Sequence, residues 1–193
     1  MNYLSLDLEL NNSVDGLPDP KIIQVGISVG NYDSGIILTK SWYLNPEEPI
    51  YEYITGLTGI SDFMIAQNSV SLELMSQELS EIIKKYNCFV NPVTWGAGDA
   101  VKLLSELKSN NIYFPHFGRR ELDVKQIYTY LMICQGRSVK SGLSSALGRF
   151  KLQFKGTPHR ADADAENTLV LFFKLIERQQ KLENLLSLTR SVQ

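Results

Sequence analysis

The sequence predicts an α/β protein built on one mixed sheet. Three observations carry that expectation. The chain opens on a strictly alternating run, Tyr3–Leu10 (YLSLDLEL). Two more strand-like runs follow before any helical period appears, which is how an antiparallel meander reads. From Leu72 onward, amphipathic helices alternate with short apolar runs, the pattern of strands joined by helical crossovers. At 193 residues, 44% hydrophobic and 21% charged, the chain suits one globular domain. The expected division is a main domain over 1–180 and a helical C-terminal tail over 181–193.

In the first strand Leu4, Leu6, Leu8 and Leu10 take one face, and Tyr3, Ser5, Asp7 and Glu9 take the other. Asn11–Pro20 (NNSVDGLPDP) is rich in turn formers and reads as a loop leaving the carboxyl end of that strand. Ile22–Val29 and Gly35–Tyr43 complete the meander around a turn at Gly30–Ser34. Asn45–Ile50 reads as a connector, Ser61–Ala66 as a short helix, and Leu72–Tyr86 as an amphipathic helix. Phe89–Trp95 is short and apolar, as a buried parallel strand should be, so Trp95 is expected to pack in the core. A helix over Asp99–Ser109 and a strand near Ile112–Phe114 follow. Further helices are expected at Asp123–Cys134, capped by Asp123, at Ser141–Phe150, and at Asp162–Gln179 after a loop marked by Gly156 and Pro158.

Bulk properties exclude several classes. A net charge of −2 argues against a protein that grips long duplex nucleic acid through many phosphate contacts. No run approaches the ~20 apolar residues of a membrane span. The first residues lack the basic and apolar regions of a secretion signal, which makes a cytoplasmic location the expectation. Cys88 and Cys134 lie far apart in apolar company and read as buried thiols. Two histidines, His116 and His159, are too few for a His-rich zinc site.

Asp7 and Glu9 lie two residues apart on one strand face, with Cα atoms roughly 6.5 to 7 Å apart. Both carboxylates can converge on a cation, and without one they repel. Alone, such a pair is most simply a solvated acidic face. Two later segments add to it: TWGAGD, ending at Asp99, and TPHRADADA, in which Asp164 follows His159 by five positions. Taken singly, Asp99 is a helix-starting residue, a common use of Asp. Asp162 and Glu166 fall on other faces of the last helix, with Asp162 the competitor of Asp164 if the register shifts.

Asp7, Glu9, Asp99, His159 and Asp164, in that order and spacing, resemble the DEDD exonuclease superfamily, in the DnaQ-like, RNase T-like subgroup whose last motif is His-x4-Asp. ITGLTGI at Ile54–Ile60 is similar to the Leu-Thr-Gly-Ile element of Eri-type and KapD-like exonucleases. The resemblance spans nearly the whole chain and departs from it at Lys21, where related enzymes often carry Glu. It implies a ribonuclease H-like mixed five-stranded sheet flanked by helices. It also implies a 3′–5′ exonuclease that releases nucleoside 5′-monophosphates from single-stranded RNA or DNA 3′ ends, with Eri-type similarity favouring RNA. By that resemblance Asp7, Glu9, Asp99 and Asp164 hold two Mg²⁺ or Mn²⁺ ions, with Asp7 bridging and Asp99 acting through water, and His159 serves as the base. Leu10, Asn11, Thr58, Gly59, Ile60 and Arg160 are the expected substrate contacts, and a homodimer or a protein partner would supply processivity. The rival readings are an endonuclease on the same fold and a catalytically silent nucleic-acid-binding module.

Overall fold

The alternation of the opening run becomes strand β1 (Tyr3–Asn11), which pairs antiparallel with β2 (Lys21–Asn31); β3 (Gly35–Leu44) completes the meander. The computed structural model describes residues 1–12, 20–139 and 142–190, with side chains through 187, so most of the expected loop after Asn11, together with Lys140, Ser141 and 191–193, lies outside the described residues. Three two-residue strands follow: β4 (Ser69–Val70), β5 (Val93–Thr94) and β6 (Leu122–Asp123). The sheet order is β4-β3-β2-β1-β5-β6, with β4, β5 and β6 each parallel to the neighbour it joins. The acidic strand therefore runs through the middle of a mixed α/β sheet.

That sheet has six strands rather than five. Ile112–Phe114 is not a strand, because its backbone is used to end a helix: the Ile112 N–H donates to Leu107 O at 2.9 Å. The parallel partner of β5 is Leu122–Asp123 instead. The expected strand Phe89–Trp95 shortens to Val93–Thr94: before it an isolated parallel bridge joins Cys88 to Asn2, with Phe89 N–H on Asn2 O, and Pro92 has no N–H to continue the ladder.

The helices are α1 (Glu52–Thr58), α2 (Asp62–Asn68), α3 (Leu72–Tyr86), α4 (Asp99–Ser109), α5 (Val124–Cys134), α6 (Leu143–Arg149) and α7 (Ala161–Arg190). Ser71 caps α3 through Leu74 N–H, and Asp123 caps α5 through Gln126 N–H. Helix α1 was not expected, and tertiary burial forms it: Ile54 packs with Ile23, Ile50, Ile60 and Ile65. Helix α7 runs past Gln179 without a break at 180, supported by i,i+4 pairs of Glu177 with Lys181 and Gln179 with Glu183.

The two sheet faces are built differently. Leu4, Leu6 and Leu8 meet Met75, Leu79 and Ile83 of α3 and Ala100, Leu103 and Leu107 of α4. On the opposite face α7, α5 and α6 pack through Phe172, Tyr128 and Leu147, and Trp95 joins this cluster 6.0 Å from the Tyr128 ring. Cys88 is half-buried, with its thiol pushed up to about 11 by burial, whereas Cys134 is exposed and departs from the buried-thiol expectation. Among the described residues no helix is long and apolar enough to cross a membrane.

Candidate metal centre

The residues opposite the acidic pair decide what can approach it. Asp7 pairs with Gly26 and Glu9 with Gln24 across the β1–β2 ladder. A Cβ on Gly26 would stand 2.0 Å from the Ala161 carbonyl carbon and 2.3 Å from Asp162 N. The missing side chain thus lets the first peptide of α7 lie directly on the sheet. Fully buried Gln24 holds it there: Oε1 accepts from Ala161 N–H at 3.1 Å, and Nε2 donates to Asp162 Oδ1 at 3.4 Å.

This docking brings one carboxylate oxygen each from Asp7, Glu9 and Asp164 within 4.8 Å of one another. Asp162, the competing acid, faces Gln24 instead. Asp164 is fixed locally as well. Its N–H donates to Arg160 O at 2.8 Å, and its Oδ2 accepts the His159 backbone N–H at 2.8 Å. His159 reaches that bond with a left-handed backbone (φ 61), a conformation His adopts more readily than most side chains. Upstream, buried Asn167 accepts from Lys155 N–H at 3.0 Å and donates to Lys155 O at 2.8 Å, which ties down the start of the His159 loop. Glu166 accepts from Thr39 Oγ1 at 2.7 Å and Lys155 Nζ at 2.6 Å, bonding α7 to β3.

Asp99 enters from the other side of β1, as the first residue of α4. Glu121 sets that turn by accepting from both flanking amides, Gly98 N–H at 2.9 Å and Ala100 N–H at 2.7 Å. Asp99 stands outside the group of three, yet of the charged neighbours it acts most strongly on Asp7.

Burial, and after it the charges of Asp99, Asp164 and Glu9, push the Asp7 carboxyl well above the carboxylate range. Glu9 is pushed up to about 7, by burial and then Asp164, against the pull of Arg160. Asp99 is pushed up to about 7 by burial and Glu121, and Asp164 is raised by burial against its bonds to His159 and Arg160. Such a set is frustrated without a countercharge. An all-oxygen donor group of this compactness fits a hard divalent cation, which would relieve the repulsion directly.

The expected substrate contacts divide. Asn11 is buried, and its amide is occupied: Nδ2 donates to Glu48 Oε1 at 2.9 Å and Pro49 O at 3.2 Å, and Oδ1 accepts from Tyr51 N–H at 3.0 Å. Its side chain straps the connector to the end of β1. Thr58 is likewise buried, donating to Ile54 O and accepting from Ile60 N–H at the end of α1, and Ile60 is a core residue. Leu10 packs against the leucine-side core. Gly59, an exposed left-handed residue, and half-buried Leu10 and Arg160 keep surface to offer. Arg160 lies 5.3 Å over the Tyr43 ring and also bonds its hydroxyl.

Sequence reasoning missed Gln24, Gly26, Glu121 and Asn167. The available signal was a polar residue and a glycine interrupting the apolar run Ile22–Val29.

A mixed sheet of the ribonuclease H-like kind, with clustered acids at its centre, defines a nuclease class of protein. The chain belongs to the RNase T exonuclease family, whose model matches residues 5–172. Its fold is that of the DnaQ-like superfamily. The nuclease domain of 3′hExo, a DEDDh family member, superimposes with a TM-score of 0.77 at 16% identity, covering 92% of each chain. Cell-death related nuclease 4 gives 0.75 at 19% identity, over 92% of this chain and 64% of that one. A full-length 3′-exonuclease gives 0.78 at 17%, and this chain spans 61% of its length. These likenesses establish the fold; no curated protein sequence matches.

Proposed function

We propose that this chain is a divalent-cation-dependent 3′–5′ exonuclease that removes nucleoside 5′-monophosphates from single-stranded ends. The observation that carries the reading is the convergence of Asp7, Glu9 and Asp164 oxygens within 4.8 Å. Asp7, Glu9 and Asp164 would hold the cations, two Mg²⁺ or Mn²⁺, with Asp99 contributing through water. Bound there, such ions polarise a phosphodiester and lower the pKa of an attacking water.

The chain's own groups do the rest. His159 is exposed, on a loop tied by its own backbone to Asp164, and takes the proton of the attacking water. Arg160, braced on Tyr43, offers a cation to a substrate phosphate, and Gly59 offers exposed backbone at the end of α1. For substrate class we favour RNA. The 3′hExo nuclease domain is bound to rAMP, and a 3′-exonuclease of this fold recognises the end of a histone mRNA stem-loop. Exonuclease I bound to dT13 shows that the fold also serves DNA, so the sugar must be measured.

The test is digestion of matched 5′-labelled single-stranded RNA and DNA, with free or blocked 3′ ends, in Mn²⁺, Mg²⁺ or EDTA. A metal-dependent ladder only from free 3′ ends, faster on RNA, is expected. Cutting of end-blocked substrate would indicate an endonuclease. No cutting by folded protein would indicate a silent binding module.

A further inference from the structure

We infer that Gln24 is the positioning residue of the metal centre, because its buried carboxamide sets where α7 stands against β1. This rests on the metal-centre reading above. The centre is assembled from two elements far apart in sequence, a strand and a helix N-terminus. The helix brings one ligand and the loop before it brings the histidine, so the spacing between α7 and β1 decides whether the oxygens converge.

That spacing has a short physical path. Glu9 faces Gln24 across the ladder, Gln24 Oε1 accepts the N–H of Ala161 at 3.1 Å, and Ala161 lies three residues before Asp164. Ala161 is the first residue of α7 and fully buried, and a first-turn helix N–H has no partner within its own helix. Being out of water, it needs an acceptor from elsewhere, and the sheet provides it. Gly26 beside it admits the backbone contact, but a contact alone leaves the helix free to slide or rotate. The carboxamide removes that freedom because it binds at both ends, with Nε2 on Asp162 Oδ1 at 3.4 Å. The same bond occupies Asp162, and Asp164 is the acid of this turn that joins the group of three. A methionine would fill the space and do neither.

The experiment compares wild type with Gln24→Met and Gln24→Glu. Three readouts are taken: hydrogen exchange of the Ala161 amide in EDTA-treated protein, the Mn²⁺ concentration giving half-maximal thermal stabilisation, and kcat and KM on an oligonucleotide. Gln24→Met should speed Ala161 exchange and raise half-saturating Mn²⁺ by roughly 10- to 100-fold, the range for residues that orient metal ligands. It should also lower kcat while leaving KM for the oligonucleotide near wild type. Gln24→Glu keeps the acceptor and should restore slow Ala161 exchange. If Gln24→Met does not fold, Gln24→Asn, one methylene too short to reach, replaces it with the same expectation. A lowered melting temperature without any change in half-saturating Mn²⁺ overturns the inference, because it would make Gln24 merely structural. Unchanged Ala161 exchange overturns it as well. Absence of Mn²⁺ stabilisation in the wild type is a different result: it removes the metal-centre reading itself.

Discussion

Both faces of β1 are packed against helices, but the two contacts carry different kinds of information. On one face Leu4, Leu6 and Leu8 meet α3 and α4 through apolar side chains alone, where volume and pattern suffice and small shifts are absorbed. On the other face Asp7 and Glu9 meet α7 across Gly26 and Gln24, where a methyl group or a lost amide has nowhere to go. The first face gives stability; the second gives placement. Substitutions on the two faces should therefore separate folding from chemistry.

The largest effect is expected at the proposed ligands and the proposed base. Asp7→Ala should leave circular dichroism unchanged and lower hydrolysis by about 10³-fold or more, the scale of several kcal/mol of lost charge stabilisation. His159→Ala should lower it by roughly 10²- to 10⁴-fold, as loss of a general base does. Retained activity in either purified variant would remove that residue from the proposal. Leu6→Ala, on the apolar face, should cost about 2 to 5 kcal/mol in denaturant unfolding while activity per folded molecule persists.

Gly26→Ala sharpens the contrast. Its Cβ would meet α7 backbone at 2.0 Å, so the helix must lift. The stability cost, about 1 to 3 kcal/mol for overpacking, should be no larger than that of Leu6→Ala, yet Mn²⁺ stabilisation should disappear. A Gly26→Ala protein that still responds normally to Mn²⁺ would break the contrast between the faces.

Protonation gives a smaller, graded effect. Glu9 and Asp99 are raised to about 7 from ordinary values of 4.5 and 3.8, so between those limits the folded metal-free protein binds protons that the unfolded chain has lost. Its stability should be greatest in mild acid and decline as pH rises from about 5 toward 8. With Mn²⁺ the order should reverse, since cations displace those protons and bind better at higher pH. Smallest of all, Ser71→Ala removes the α3 cap and should cost about 1 kcal/mol without touching Mn²⁺ affinity.

Much of this was legible in the chain. Strict alternation placed Asp7 and Glu9 on one face, and the His-x4-Asp spacing set Asp164 at the start of α7 with His159 bonded to it. The illegible parts have physical causes. Strands β4, β5 and β6 are two residues long and show no period, so the sixth strand and the true partner of β5 could not be read. Helix α1 contains Gly56 and two threonines and exists because Ile54 is buried. Gln24, Gly26, Glu121 and Asn167 act on partners 12 to 138 residues away, and local pattern carries no trace of such pairings. Thr58 and Asn11 looked like loop contacts because the hydrogen bonds they make within the fold are visible only in three dimensions.

The most direct test of the central claim is a Mn²⁺ titration of EDTA-treated protein followed by electron paramagnetic resonance of the free ion, for wild type and Asp7→Ala. The account predicts two ions bound per wild-type chain and loss of that binding in Asp7→Ala at the same concentrations. Equal binding by both proteins, or none by either, would contradict it.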